Sequence, residues 1–255
     1  MADINDERSG ILDIIENNAL TAHFQPICSA GRIAFGYEAL ARLKGNALFP
    51  NIADMFSASI RTGTISQLDI LCRENAIREA SAGLMNEKGA CLFLNICPET
   101  LLSPTYRADV TDELADRWGI SRGKIILEIT EETAIRNYTL FENAVSHYRA
   151  KGYKIALDDF GIGYGGLKML SVIRPDFVKI DRHFISDIDK NFVNLALVES
   201  ITLLCHRLGM MVIAEGIERK EELAFTESLG IDLFQGYFMG RPAQAASFFQ
   251  DRLTA

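Results

Sequence analysis

The chain contains 255 residues, 48% of them hydrophobic, which is enough for one large domain or two small ones with a sizeable core. Its net charge of −8, without a long basic block, argues against a groove for a nucleic acid polymer. No apolar run approaches about 18 residues, so we expect no membrane segment in this chain. The five cysteines never form a CxxC pair, which predicts reduced thiols in a cytoplasmic protein.

The first elements of the chain predict an antiparallel hairpin. A short amphipathic helix at 11–20 precedes two strands at 21–28 and 33–40, and only four residues separate those strands. Parallel strands need a crossover of about a dozen residues, so these two strands should run in opposite directions.

After the hairpin, helical and strand patterns alternate to the end of the chain. Strands are predicted at 91–95, 124–129, 154–158, 177–180, 211–214 and 232–235. Helices are predicted at 52–60, 66–82, 106–118, 140–151, 166–173, 192–208, 221–229 and 243–253. This order predicts an α/β fold, a modified TIM-type (β/α)8 barrel whose first strand is antiparallel, with an open doubly wound sheet as the alternative. The domains are then a lead-in helix in residues 1–20 and one barrel in residues 21–255.

Polar side chains stand at the ends of the predicted strands. They are Glu38, Asn95, Glu128, the pair Asp158 and Asp159, Lys179, Glu215 and Gln235. A single strand-end polar residue is usually a cap or a turn former, and an isolated Asp-Asp pair is usually a solvated turn. A whole series that converges on one rim of a barrel instead predicts an active site.

Hard oxygen donors without histidine or cysteine suit Mg²⁺ or Mn²⁺. Two such ions about 3.5–4 Å apart hold a phosphodiester and a water for in-line displacement, with Asp158 bridging them and Asp159 on one side. Lys179 would position the water and offset the carboxylate charge, and Glu215 would be a general base or an anchor for the metal ligands. Arg42 shares the strand face of Glu38 and would reach a substrate phosphate.

The glycine-rich segment 161–166 contains GxGxxG, which is also the fingerprint of dinucleotide-binding folds. Two carboxylates directly upstream would repel a pyrophosphate, and the motif lies in the middle of the chain. We therefore interpret these glycines as a mobile loop beside the metals.

Eight motifs, in order from about residue 21 to about residue 242, resemble the EAL family of cyclic di-GMP phosphodiesterases. They are QPI at Gln25, EAL at Glu38, LN at Asn95, EITE at Glu128, DDFG at Asp158, KID at Lys179, AEG at Glu215 and QGY at Gln235. The resemblance implies a barrel with a reversed first strand. It also implies hydrolysis of cyclic di-GMP to linear 5′-pGpG with two Mg²⁺ or Mn²⁺ ions, in an enzyme that is often a homodimer.

The resemblance also implies a role for each matching residue. Ligands of the first metal would be Glu38, Asn95, Glu128 and Asp158, and ligands of the second would be Asp158 and Asp159. Lys179 and Glu215 match positions that activate water, and Glu131 matches the residue that steadies the loop after DDFG. Substrate contacts are expected from Gln25, Glu38, Leu40, Arg42, Asn95, Asp159, Gln235 and Arg241.

Two departures from the family pattern stand out. Gly165 and Gly166 replace serines that are common in the loop, and Leu43 stands where tryptophan is common. Neither change removes a ligand. Two other functions stay open from the sequence: a receptor that binds cyclic di-GMP without hydrolysing it, and a barrel glycosidase that uses two strand-end carboxylates.

Overall fold

The computed structural model describes residues 3–45, 48–86, 89–103, 107, 109–130, 138–163 and 165–250. Its strands form one closed barrel in which each strand pairs with the next along the chain and the last pairs with the first. The strands are β1 (Leu20–Cys28), β2 (Ala34–Leu43), β3 (Cys91–Asn95), β4 (Ile125–Thr130), β5 (Lys154–Phe160), β6 (Phe177–Ile180), β7 (Met211–Ala214) and β8 (Leu233–Gln235).

Strand β1 runs against both of its neighbours. It pairs antiparallel with β2, where Gln25 lies opposite Glu38, and antiparallel with β8, where Ile27 lies opposite Gln235. The pairs from β2 through β8 are all parallel. The predicted barrel with a reversed first strand is therefore confirmed, and the closed sheet excludes the open doubly wound alternative.

Helices surround the barrel, before the first strand, after the last and between strands from β2 onward. They are α1 (Ile4–Glu16), α2 (Ile52–Thr62), α3 (Ile65–Ser81), α4 (Pro98–Leu101), α5 (Asp109–Arg117), α6 (Tyr138–Ala150), α7 (Gly166–Ile173), α8 (Arg182–Ile185), α9 (Phe192–Arg207), α10 (Lys220–Ser228) and α11 (Ser247–Gln250). Among the described residues, no helix is both long and apolar enough to span a bilayer.

Several element boundaries differ from the sequence prediction. Strand β2 continues to Leu43, because that residue still pairs with Leu20 at the start of β1. The lead-in helix predicted at 11–20 runs from Ile4 to Glu16, and Leu20 already belongs to β1. The prediction of a helix from residue 243 is wrong at its start, because Ala243 exchanges two backbone hydrogen bonds with Phe24.

An apolar cluster fills the barrel interior below the predicted site. It consists of Ile27, Cys91, Phe93, Ile126, Ala156, Phe177, Ile213 and Leu233. Several of these residues lie two positions before a polar strand-end residue, as Phe177 does before Lys179 and Ile126 before Glu128. Side chains two apart on a strand face the same side, so the interior changes from an apolar floor to a layer of polar groups.

Candidate active site

Lys179 stands at the centre of the polar layer and is completely buried. Its Nζ lies 2.8 Å from a carboxylate oxygen of Glu128, of Asp158 and of Glu215, and 3.3 Å from Glu38 Oε2. These four acids come from β2, β4, β5 and the residue after β7. Barrel closure therefore brings together side chains up to 177 positions apart around one ammonium group.

Two side-chain amides donate hydrogen bonds to Glu38. Gln235 Nε2 donates to Glu38 Oε2 at 2.5 Å, and Asn95 Nδ2 donates to Glu38 Oε1 at 3.2 Å. Gln25 Oε1 accepts from the same Gln235 nitrogen at 3.3 Å, and its own amide donates to the carbonyl of Gly240 at 3.1 Å. The predicted residues Gln25, Asn95 and Gln235 thus all lie at the carboxylate cluster.

The regular pairing of strand β5 is interrupted by a bulge near Asp159. Leu157 pairs with Val178 and Phe160 pairs with Ile180, so three steps on β5 face two on β6. Asp159 has a φ of +53°, in the left-handed region that few non-glycine residues adopt. Consecutive strand residues ordinarily face opposite sides, and this bulge removes that restriction. The two neighbouring aspartates can therefore serve one site.

Two acidic groups share Asp158. Carboxylate oxygens of Glu38, Glu128 and Asp158 lie within 4.8 Å of one another, and so do those of Asp158, Asp159 and Glu215. The bridging position expected for Asp158 fits this geometry. Glu215 also lies in the second group, for which the sequence motifs predict only Asp158 and Asp159 as metal ligands. Nothing in the sequence distinguishes a general base from a metal ligand at position 215.

The electrostatics of the site follow from five carboxylates and a single ammonium. Burial opposes ionisation of Glu38, but the charge of Lys179 and the hydrogen bonds from Gln235 and Asn95 outweigh it and lower its pKa. Burial raises the pKa of Glu128 and of Glu215 well above their ordinary values, although Lys179 favours their charged forms. The single ammonium of Lys179 therefore supplies too little positive charge to stabilise the ionised forms of all five carboxylates.

Burial also raises the pKa of Asp158, again against the attraction of Lys179. Burial alone would lower the pKa of Lys179, but the charges of the surrounding acids, led by Asp158 and Glu128, raise it well above its ordinary value. The lysine therefore stays protonated and serves as a fixed positive charge in the site.

The donor set fits divalent metal ions. Glu128 Oε1 and Asp158 Oδ1 are buried carboxylate oxygens, and each lies 2.8 Å from Lys179 Nζ. Carboxylate oxygens without histidine or cysteine suit Mg²⁺ or Mn²⁺. Five carboxylates and one ammonium carry a formal charge of −4, which two divalent cations would balance.

Two cavities open beside the carboxylates. The larger, about 420 Å³, is lined by Leu40, Arg42 and Asn95 together with apolar residues of α2 and α3. The smaller, about 230 Å³, is lined by Gln25, Glu38, Glu215 and Gln235. The expected substrate contacts Leu40, Arg42 and Asn95 therefore face the larger cavity, whereas Gln25, Glu38 and Gln235 face the smaller one.

Sequence reasoning missed three residues that line the smaller cavity: Arg182, Glu218 and Tyr237. Arg182 Nη2 lies 3.1 Å from Glu218 Oε1 across the mouth of this cavity. Arg241, which the resemblance assigned to substrate, is exposed and stacks over the ring of Tyr237 at 4.2 Å. Tyr237 belongs to the QGY motif and could have been found from it, whereas nothing in the sequence marked Arg182.

The predicted loop-steadying residue, Glu131, lies outside the described residues. The described part of the loop after β5 packs against α8. A Cβ added to Gly161 would lie 2.5 Å from Phe184 Cε2, and this glycine has a φ of +108°. Glycine is therefore required here both for backbone conformation and for space. Gly166, one of the two glycines that replace serines, begins α7.

Comparisons with known proteins show which family the chain resembles. A family model described as the EAL domain matches residues 8–242. Over 236 residues the chain is 33% identical to a protein of Escherichia coli strain K12 named probable cyclic di-GMP phosphodiesterase PdeA, covering 91% of this chain and 32% of PdeA. The chain thus spans about a third of the length of the curated relatives that it matches.

Solved structures of similar chains superpose on the barrel of this protein. The PaMucR phosphodiesterase, solved as a complex with c-di-GMP, superposes with a TM-score of 0.85 at 26% identity, covering 95% of this chain and 99% of that one. BlrP1 of Klebsiella pneumoniae, solved with manganese and cyclic di-GMP, superposes with a TM-score of 0.78 at 29% identity, covering 89% of this chain and 57% of that one. Because the family model matches nearly the whole chain, the chain belongs to the EAL domain family.

Proposed function

We propose that the chain hydrolyses one phosphodiester bond of cyclic di-GMP and releases linear 5′-pGpG. The observation that carries this proposal is the pair of acidic groups that share Asp158 around the buried Lys179. PdeA and PaMucR, which are similar to this chain, are named as a probable cyclic di-GMP phosphodiesterase and as a phosphodiesterase in complex with c-di-GMP. A site with the full set of ligands favours turnover over simple binding of the nucleotide.

The proposed cofactor is two Mg²⁺ or Mn²⁺ ions. Glu38, Asn95, Glu128 and Asp158 would hold the first ion, and Asp158 and Asp159 would hold the second, with Glu215 within reach of it. Asn95 now directs its amide nitrogen at Glu38, so its oxygen would face the ion after rotation of the amide. When bound, these ions would polarise the phosphate and lower the pKa of water.

The reaction adds the oxygen of water to phosphorus and breaks the bond to one ribose 3′ oxygen. Glu215 would accept the proton of the water, since its carboxylate lines the smaller cavity and burial raises its pKa, which favours proton uptake. Lys179, 2.8 Å from Glu215, would hold that carboxylate in place and balance its charge. The 3′ oxygen leaves as a hydroxyl after it takes a proton from solvent.

The chain's arginines and amides would bind the rest of the substrate. Arg42 at the larger cavity would contact a phosphate, and Leu40 would pack against the nucleoside on the same side. Gln25 and Gln235 would hold substrate or water at the smaller cavity, and Arg241 would close over it beside Tyr237. Glu131 is proposed to steady the loop after DDFG, as its motif position implies.

Three broader expectations remain proposals. The partners would be cyclic di-GMP and a second copy of the chain, with no nucleic acid polymer. All five cysteines are free thiols, which favours a reducing compartment, and we propose the cytoplasm. Residues 1–20 are proposed as a lead-in segment and residues 21–255 as the catalytic barrel. The lead-in segment is not separate from the barrel domain, because α1 packs against α2.

The test is a turnover assay in which nucleotides are separated by chromatography. The chain is incubated with cyclic di-GMP and either Mg²⁺ or Mn²⁺, and pGpG is expected to appear with both ions at micromolar enzyme. Chelation with EDTA should stop the reaction, and Asp158→Asn should reduce it by at least about a thousandfold because both acidic groups lose a member.

A matched variant controls for the loss of a carboxylate. Asp6 is exposed on α1, so Asp6→Asn removes the same charge far from the site and should leave turnover unchanged. The absence of pGpG with either ion, or turnover that survives EDTA, would overturn the proposal. Binding of cyclic di-GMP in calorimetry without turnover would favour the receptor function instead.

A further inference from the structure

Helix α10 carries a buried carboxylate that the proposed mechanism does not use. Glu222 is 2% exposed and lies in the first turn of the helix. It is not among the described residues that line the two cavities of the active site. A charged group in the interior costs free energy unless it is hydrogen-bonded, so the partners of Glu222 indicate what it does.

Glu222 accepts hydrogen bonds from two separate segments of the chain. Its Oε2 accepts from the backbone N–H groups of Glu218 at 2.9 Å and of Arg219 at 3.0 Å. Its Oε1 accepts from the backbone N–H of Asp187 at 3.1 Å and from Nε of Arg219 at 3.1 Å. Burial alone would raise the pKa of Glu222, but these hydrogen bonds outweigh it and lower the pKa. The carboxylate is therefore charged at neutral pH and ties the two segments together.

A helix cap accounts for only one of these segments. Glu222 is the third residue of α10, and a glutamate at this position commonly accepts from the N–H of the capping residue, here Arg219. Asp187 precedes Glu222 by 35 positions and belongs neither to α10 nor to the turn before it. The bond to Asp187 therefore joins α10 to a part of the chain that the cap does not need.

The first segment leads to Glu215. It runs from this residue, which follows β7 directly, to Arg219, which precedes α10. At its start, the N–H of Glu215 donates to the carbonyl of Ile180 at 3.1 Å, and Glu215 Oε1 lies 2.8 Å from Lys179 Nζ. At its end, Glu222 binds the N–H of Arg219. The segment is thus fixed at both ends, and the position of the Glu215 carboxylate depends on both.

The second segment leads to Asp159. Asp187 follows α8 and has a φ of +52°, a conformation that few non-glycine residues adopt without support. The ring of Phe184, on α8, lies so close to the loop after β5 that a Cβ added to Gly161 would be 2.5 Å from it. Gly161 lies two positions after Asp159. Because this contact leaves no free space, a shift of α8 would move the chain beside Asp159.

Both segments thus end at the acidic group formed by Asp158, Asp159 and Glu215. We infer that Glu222 is a positioning residue that fixes the spacing between Glu215 and the two aspartates, and with it the affinity of this group for the second metal ion. This role rests on the proposed function, which supplies the metal ions. The first acidic group takes its other members from β2 and β4, so it should depend less on Glu222.

Hydrogen exchange followed by mass spectrometry measures the two links without metal or substrate. In Glu222→Gln, a side-chain NH₂ replaces one acceptor oxygen, so at least one segment loses its partner. In EDTA at about pH 7, protected backbone amides in 181–188, 215–219 and 159–163 should exchange at least about tenfold faster than in the unmodified chain. Amides of β3 and β4 should exchange at the same rate in both proteins.

Calorimetry and turnover then measure the effect on the metal site. In Glu222→Gln, the dissociation constant of the second Mn²⁺ ion should rise at least about tenfold, while that of the first should change less than about threefold. The kcat should fall at least about tenfold with a smaller change in KM, because the substrate contacts of both cavities stay in place.

Control variants separate this role from a general loss of stability. Ile14→Ala removes a buried side chain from the apolar cluster shared by α1 and α2, so it lowers stability but should leave exchange in the three segments and both Mn²⁺ constants unchanged. Arg219→Gln removes the ion pair with Asp189 but keeps the backbone N–H that Glu222 binds, so it should change the second constant less than about threefold. If Glu222→Gln does not fold, Glu222→Asp keeps the charge, shortens its reach by one methylene and should weaken the second site in the same way.

The results have distinct meanings. Faster exchange in all three segments, together with a weakened second Mn²⁺ site, supports the role of Glu222. Unchanged exchange in 181–188 or 159–163, a second site that keeps its affinity in Glu222→Gln, or equal weakening in Ile14→Ala would overturn it. An unmodified chain that makes no pGpG would overturn the proposed function alone, because the exchange pattern would still show whether Glu222 holds the two segments.

Discussion

Replacing Lys179 with methionine perturbs the site most directly, because methionine keeps most of the volume of lysine and removes only its charge. In the native chain the ammonium contacts Glu38, Glu128, Asp158 and Glu215, three of them at 2.8 Å. Without it, none of the described residues around these acids offers a compensating buried cation. We expect the metal-free variant to fold but to lose much of its stability.

The magnitude follows from the burial of the group. Removing one partner of a buried ion pair costs about 3–5 kcal/mol, because an uncompensated charge stays in the interior. For a domain of this size, each kcal/mol corresponds to about 2–4 °C in the unfolding temperature. The unfolding temperature of Lys179→Met, measured in EDTA, is therefore expected to be about 6–20 °C lower than that of the native chain.

The pH dependence has a definite sign. Burial already raises the pKa values of Glu128, Asp158 and Glu215, and loss of the Lys179 charge would raise them further, so the folded variant would bind more protons than the unfolded chain. A raised pKa contributes stability below the unfolded value, about 4, and that stability is lost as pH rises through the folded value. The variant should therefore differ little from the native chain near pH 5 and most near pH 8.

Urea unfolding followed by circular dichroism, at about pH 5 and about pH 8 with and without Mn²⁺, measures these effects. Mn²⁺ should restore part of the lost stability at about pH 8, since its charge replaces that of the ammonium. Lys220 is exposed on α10, and Lys220→Met serves as the control that should change little. A loss under about 1 kcal/mol at both pH values would refute the central electrostatic role of Lys179.

Three further predictions concern other residues. Asp159 belongs to one acidic group and Asp158 to both, so calorimetry with Mn²⁺ should find one ion bound to Asp159→Asn and no tight site in Asp158→Asn. Buried Glu222 has a pKa lowered, against its burial, by backbone N–H groups of Glu218, Asp187 and Arg219. Its stabilisation is present above the unfolded pKa of about 4.3 and is lost as pH falls through the lower folded value. Glu222→Gln should therefore lose about 1.5–3 kcal/mol at about pH 7 and less at about pH 3, and equal losses at both would contradict this. Gly236→Ala places a Cβ 2.2 Å from Ile217 O at a φ of +155°, so thermal unfolding should show a loss of about 2–4 kcal/mol. Gly45→Ala, at a φ of +62° in open space, should lose clearly less.

The smaller cavity shows where sequence reasoning about the site reached its limit. Its predicted residues, Gln25 and Gln235, stand in recognisable motifs, and both lie where they were expected. Arg182 follows the KID motif on a short helix, and its contact with Glu218 depends on how the loops after β6 and β7 fold over each other. No local pattern encodes such a contact between two loops.

The sequence by itself determined the order of strands and helices, the reversed first strand and the membership of the polar rim. The short hairpin turn required β1 to run antiparallel, and the two-residue period of strands put Glu38, Glu128 and Lys179 on the same side as the apolar floor below them. These conclusions rest on chain connectivity and strand geometry, which are local properties.

Only the tertiary structure decided how the rim is arranged around its centre. Lys179 meets acids from four other parts of the barrel because the sheet closes, and closure fixes distances that no strand contains by itself. The bulge at Asp159 arises from the register between β5 and β6. It turns what could have been a solvated pair of aspartates into members of two acidic groups that share Asp158.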